Sequence, residues 1–184
     1  MTGAPDVLAC PVGGGDMLAA QWRGYQELQR GGVIDKLPRL VGVQSESAPP
    51  LLAAFRAGGD SVPVLPYANS KISGINVPFT GDHALAALKE SGGVAAGIAD
   101  EAAFAMQARL AAEEGVWVEP ASAAPVAALE GLLARGAIRA DERIVCVLSG
   151  GGFKDAHLAE TKAAEISQAE PAAFDVEAIV RASQ

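Results

Sequence analysis

The sequence predicts an α/β fold, a mostly parallel sheet flanked by helices in three layers, and three observations point to it. Short runs rich in Val, Ile and Leu alternate along the chain with longer stretches rich in alanine, the pattern of strand–helix–strand units. Two of the apolar runs lead directly into glycine clusters, Gly13–Gly15 and Gly150–Gly152. At 184 residues the chain is long enough for one compact core and short for two full domains.

The first strand is expected over Val7–Val12, with Pro11 at its end because proline cannot donate to a ladder. From Met17 onward Leu18, Trp22, Tyr25 and Leu28 recur at helical spacing until Gly31-Gly32 stops the helix. Leu40–Gln44 reads as a second strand and Pro50–Arg56 as a helix closed by Gly58-Gly59. Residues 60–81 hold three prolines and few apolar repeats, so they form a long irregular connection of the kind that often carries function. Asp82–Glu90 is a short helix and Val94–Ala99 the third strand. Asp100 stands as the N-cap of a helix presenting Phe104, Ala108 and Ala111 on one face. Val116–Val118 is a short extended piece. Ser122 is placed to cap a helix bearing Val126, Leu129 and Leu133, with Pro125 tolerated in its first turn. Arg143–Leu148 is the last strand, and an amphipathic helix with Phe174, Ile179 and Val180 is expected after Pro171. The chain therefore divides into a main unit, 1–155, and a polar helical tail, 156–184.

Fourteen Lys and Arg against 22 Asp and Glu give a net charge of −8, which opposes binding to a phosphate backbone. No apolar run approaches the roughly 20 residues that a bilayer helix requires. Met1–Asp6 lacks the charged start and apolar core of a signal peptide. The expectation is a cytoplasmic protein with neither a nucleic-acid nor a membrane partner. Cys10 and Cys146 sit singly in apolar runs, so they specify neither a disulfide framework nor a metal site and read as reduced core thiols.

The carboxyl ends of parallel strands share one edge, and ligands bind in the crevice outside it. The Gly13-Gly14-Gly15 loop, followed at once by a helix, can turn its N–H groups and the helix N-terminus toward an anion; the alternative is a tight strand-to-helix turn without a ligand. As a dinucleotide fingerprint it fits poorly. Leu18 occupies the third glycine position, and the nearest acidic residue after the second strand is Glu46. Ser149, at the end of a strand and followed by glycines, can donate to a ring nitrogen or cap a loop. Glu119 can contact a ligand or pair with a nearby cation.

Five segments occur in an order that resembles the threonine synthases: Cys10–Ala19, Ile34–Gln44, Ser73–Pro78, Glu119–Ala124 and Val147–Asp155. These are tryptophan-synthase-β-like, fold type II pyridoxal-phosphate enzymes of amino-acid metabolism. The resemblance covers roughly residues 5–155 and implies the C-terminal half of the fold type II large domain. It implies a cofactor site in which Gly13, Gly14, Gly15, Asp16 and Met17 cradle the phosphate. Ser149 would meet the pyridine nitrogen, Gly150 beside it would be a further cofactor-binding residue, and Glu119 would lie near the cofactor edge. The implied activity is a lyase reaction, elimination and replacement on an amino-acid substrate such as O-phosphohomoserine. A serine at the ring nitrogen leaves the cofactor a milder electron sink than an aspartate would.

Two departures stand out. Asp16 places a carboxylate where it would repel a phosphate, unless it caps the following helix. The family's Schiff-base lysine lies in an N-terminal motif that precedes everything matched here. Of Lys36, Lys71, Lys89, Lys154 and Lys162, only Lys71, in the irregular connection, is a candidate substitute. The resemblance therefore implies a partial enzyme that needs a complementing N-terminal half chain or a second copy, or that is inactive alone. A non-catalytic binding or regulatory module and a Rossmann-type nucleotide-binding domain are the alternatives.

Overall fold

The computed structural model describes residues 3–154. The expected tail, its helix with Phe174, Ile179 and Val180, and Lys162 lie outside them.

Four strands form one parallel sheet: β1 (Val7–Pro11), β2 (Arg39–Ser45), β3 (Val94–Ile98) and β4 (Ile144–Cys146), in the order β3-β2-β1-β4. Five helices connect and cover them: α1 (Asp16–Arg30), α2 (Pro50–Ala57), α3 (Asp82–Glu90), α4 (Asp100–Glu114) and α5 (Pro120–Ala134). Alternation along β1 splits the core in two. Leu8 and Cys10 pack with Leu18 and Trp22 of α1, Leu51 of α2, and Leu85 and Leu88 of α3. Val7 and Ala9 pack on the other face with Ala103 of α4 and with Ala121, Ala124, Ala128 and Leu132 of α5. The three-layer α/β expectation is met. Both faces of every central strand are covered, as a parallel sheet requires.

Pro11 ends β1, as expected. Val147 donates its N–H to the Ala9 carbonyl (2.9 Å), so odd-numbered residues of β1 face β4. The next rung would need an N–H from Pro11, which has none, and β4 stops after three residues.

Several local expectations are corrected. Leu28 is 42% exposed, so the buried stripe of α1 ends earlier, at Trp22 and half-buried Tyr25. Asp100 does not cap α4. Ala99 occupies the N-cap, and the Asp100 carboxylate turns inward to distant donors. The fully buried side of α4 carries Ala103 and Gln107, because Gln107 Nε2 donates to the Val118 carbonyl (2.7 Å). Phe104, Ala108 and Ala111 are only half-buried. Helix α5 begins at Pro120 with Glu119 as N-cap, so Ser122 lies inside the helix and Pro125 in its second turn. Its buried stripe is Ala121, Ala124, Ala128 and Leu132, whereas Leu133 is 40% exposed. Cys10 and Cys146 are free thiols.

Candidate functional site

The strand order places the site. From β1 the chain builds outward through β2 to β3, then returns to the opposite side of β1 to lay down β4. The order therefore reverses between β1 and β4, and a crevice opens outside the carboxyl ends of strands at such a point. A cleft of about 300 Å³ lies there. The loop after β1 supplies one wall with Pro11, Gly13, Gly14, Gly15, Asp16 and Met17. Gly74 and Ile75 of the irregular connection, Glu119 and Ala121 at the start of α5, and Ser149 after β4 complete it.

The glycine loop is built from close approaches. Gly15, the N-cap of α1, has φ 98°, and a Cβ there would lie 2.6 Å from Ala84 Cβ and 2.9 Å from Thr80 Cγ2. Only glycine fits that conformation and that space. A Cβ on Gly13 would lie 3.1 Å from the Gly74 carbonyl. Thr80 donates its hydroxyl to the Gly13 carbonyl (2.7 Å), and Gly81 N–H donates to the Gly14 carbonyl (2.9 Å). The loop carbonyls are thus held by protein donors. Among the described residues, no protein acceptor takes the backbone N–H groups of Gly13 to Leu18. Six donors at the start of a 15-residue helix, in a loop without side-chain bulk, are suited to a phosphate or carboxylate.

Gln44 fixes this arrangement from below. It is fully buried at the end of β2, donates to the Val12 carbonyl (3.3 Å) and Thr80 Oγ1 (3.1 Å), and accepts from Leu51 and Leu52 N–H at the start of α2. Asp100 does similar work for the opposite wall. Its carboxylate accepts from Ser45 Oγ (2.6 Å), Ser70 Oγ (2.8 Å) and Lys71 N–H (2.6 Å), tying the segment that leads to Gly74 onto β2. Burial alone would raise the Asp100 carboxyl, but these three hydrogen bonds outweigh it and hold the group below the ordinary aspartate value. Sequence reasoning missed Gln44, Thr80 and Asp100 as site supports. For Gln44 the available signal was a pair of polar residues, Gln44-Ser45, closing the apolar run Leu40–Val43.

At the far wall Ser149 is exposed and lines the cleft. Gly150 does not line it. Its N–H donates to Ser122 Oγ (2.8 Å), its carbonyl accepts from Glu119 N–H (3.0 Å), and a Cβ there would collide with the Glu119 carboxylate. The Glu119 side chain is 13% exposed, with Lys154 Nζ 3.9 Å from its carboxylate. Asp16 does not cap α1; its side chain is 90% exposed and approaches His83 Nε2 at 3.4 Å. The other described lysines lie elsewhere: Lys36 pairs with Asp6, Lys71 with Glu101 and Lys89 with Asp60, and no described lysine lines the cleft. Among the described residues no cluster could hold a metal ion.

A family model described as pyridoxal-phosphate dependent enzyme matches residues 1–150. Threonine synthase of Methanocaldococcus jannaschii is 40% identical over 155 residues, covering 82% of this chain and 38% of that protein. Threonine synthase of Mycobacterium tuberculosis is 35% identical over 177 residues, 96% of this chain and 47% of that protein. The chain thus spans less than half the length of these relatives. Among solved structures, a threonine deaminase from T.th. matches with TM-score 0.64 and 25% identity over 80% of this chain and 50% of that one. Maize serine racemase shares the fold, with TM-score 0.70 at 18% identity, over 88% of this chain and 49% of that one.

Proposed function

This chain belongs to the pyridoxal-phosphate dependent enzyme family, and from that premise we propose that its cleft is the cofactor site of a threonine-synthase-like lyase. The observation that carries this is the meeting of the Gly13–Met17 loop, Glu119 and Ser149 in one cleft at the reversal of strand order. Six N–H groups that no protein acceptor takes among the described residues, in a loop without side-chain bulk at Gly13–Gly15, suit the cofactor phosphate. The backbone N–H groups of Gly13, Gly14, Gly15, Asp16 and Met17 would hold that phosphate. Ser149 would face the ring nitrogen, backed by Gly150, and Glu119 would border the ring. When bound, the cofactor supplies the electron sink for elimination and replacement on an amino acid such as O-phosphohomoserine. A neutral serine donor leaves that sink mild.

No described lysine lines the cleft. In this proposal the Schiff-base lysine is supplied by a complementing N-terminal half, and residues 3–154 bind the cofactor without covalent capture. A cytoplasmic setting belongs to the same reading; among the described residues no helix is long and apolar enough to cross a membrane. Titration of the purified chain with pyridoxal phosphate tests it. The expected result is saturable binding that dialysis reverses and borohydride does not trap. Stoichiometric trapping refutes the missing-lysine part, and absence of saturable binding refutes the site.

One observation favours a second reading, a non-catalytic module that has lost cofactor binding: the Asp16 carboxylate at the cleft would repel a phosphate dianion. Under the lyase reading Asp16→Asn tightens existing binding several-fold. Under the second, binding appears only in the variant.

A further inference from the structure

Ser122 stands where the sequence suggests a helix cap, and it does something else. It lies in the first turn of α5, fully buried and outside the cleft lining. Among the described residues its hydroxyl has two hydrogen-bond partners, the Gly150 N–H at 2.8 Å and Ser149 Oγ at 3.3 Å. The first can only donate. Ser122 Oγ therefore accepts from Gly150, and its own proton has one acceptor within reach, Ser149 Oγ. If Ser149 donated to Ser122 instead, the buried Ser122 proton would be left without an acceptor, the arrangement that native interiors avoid.

We infer that Ser122 is a positioning residue that sets the proton of Ser149: by donating to Ser149 Oγ it leaves the Ser149 hydroxyl proton to be donated into the cleft. A lone serine hydroxyl rotates among donors and acceptors. Here the chain Gly150 N–H to Ser122 to Ser149 runs in one direction and ends with a donor at the cleft wall. Such a donor suits an unprotonated ring nitrogen, which offers a lone pair in the ring plane. The inference rests on the cofactor reading of this cleft and adds to it the polarity of the contact. The same chain ties the loop after β4 to α5, since Gly150 also accepts from Glu119 N–H (3.0 Å).

A double-mutant cycle on the full chain tests it, with pyridoxal phosphate affinity and thermal midpoint measured for wild type, Ser149→Ala, Ser122→Ala and the double variant. Loss of one neutral hydrogen bond corresponds to about fivefold in Kd. Ser149→Ala and Ser122→Ala are each expected to weaken binding about fivefold, and the double variant by about fivefold in total relative to wild type rather than by the product. A product of the two losses, or no loss in Ser122→Ala, overturns the inference while the cofactor reading stands. Absence of saturable binding in the wild type overturns both. With cofactor labelled with ¹⁵N in the ring, both single variants are expected to move the nitrogen resonance in the same direction. A purely structural Ser122 would lower the thermal midpoint and leave that resonance in place. If Ser122→Ala does not fold, Ser122→Cys keeps the volume, weakens both bonds and takes its place in the cycle.

Discussion

Replacing Gly15 with alanine separates the geometry of the phosphate loop from its mere glycine content. Two costs add at this position. The backbone sits at φ 98°, where an L residue is strained by about 1–2 kcal/mol. The new Cβ would also lie 2.6 Å from Ala84 Cβ and 2.9 Å from Thr80 Cγ2. Both are short side chains fixed on or beside α3, so neither can swing away, and overpacking of this kind costs about 1–3 kcal/mol. The sum is about 2–5 kcal/mol, or a fall in thermal midpoint of about 4–20 °C for a chain of this size. Two controls isolate the terms. Gly32 has φ 69° with nothing within 4 Å of its Cβ position, so Gly32→Ala carries only the conformational cost, about 1 kcal/mol. Gly14 has ordinary φ, and its Cβ would meet the exposed Asp16 carboxylate at 3.2 Å and Phe79 at 3.9 Å, so Gly14→Ala costs less than about 1 kcal/mol. Urea unfolding of the three variants is the assay. A Gly15→Ala cost no larger than that of Gly32→Ala would refute the packing argument and with it the account of why the loop needs glycine there.

Asp100→Asn is expected to cost about 1–3 kcal/mol at pH 7, because one amide cannot accept from Ser45, Ser70 and the Lys71 N–H together. The folded carboxyl lies below its unfolded value of about 3.9. Its contribution is therefore present above that pH and lost as pH falls through the folded value. The wild-type advantage over Asp100→Asn in urea unfolding should narrow below about pH 4; an advantage constant down to about pH 2 would contradict the assignment. Burial pushes the Cys10 thiol up to about 12 and the Cys146 thiol up to about 11. At about pH 8 a thiol-reactive dye should leave both unmodified in the native chain and label both in denaturant. Rapid native labelling of Cys10 would show that the sheet opens at β1.

Residues whose role is set by local backbone are legible from sequence. Pro11 ends its strand because it lacks a donor, Gly58 and Gly31 stop their helices, and Asp82–Glu90 is helical as expected. Residues that bond over long separations are misread by local rules. Asp100 and Ser122 look like caps because aspartate and serine at helix starts usually are. Their partners, however, stand 55 and 30 residues away for Asp100 and 27 and 28 for Ser122. The buried sides of α4 and α5 are displaced by similar causes: Gln107 is drawn inward by the Val118 carbonyl, and small alanines let α5 lie close on the sheet.

The sequence by itself determined the alternation of strands and helices, the two glycine loops that follow strands, and the five ordered segments that identify the family. These are local properties, set by side-chain volume, backbone freedom and the short reach of neighbouring residues. Only the tertiary structure decided that β4 returns to lie beside β1, and therefore that Ser149 faces the same cleft as Gly13–Met17. Strand order follows from which faces must be buried and how the crossovers run, and no stretch of the chain carries that information alone.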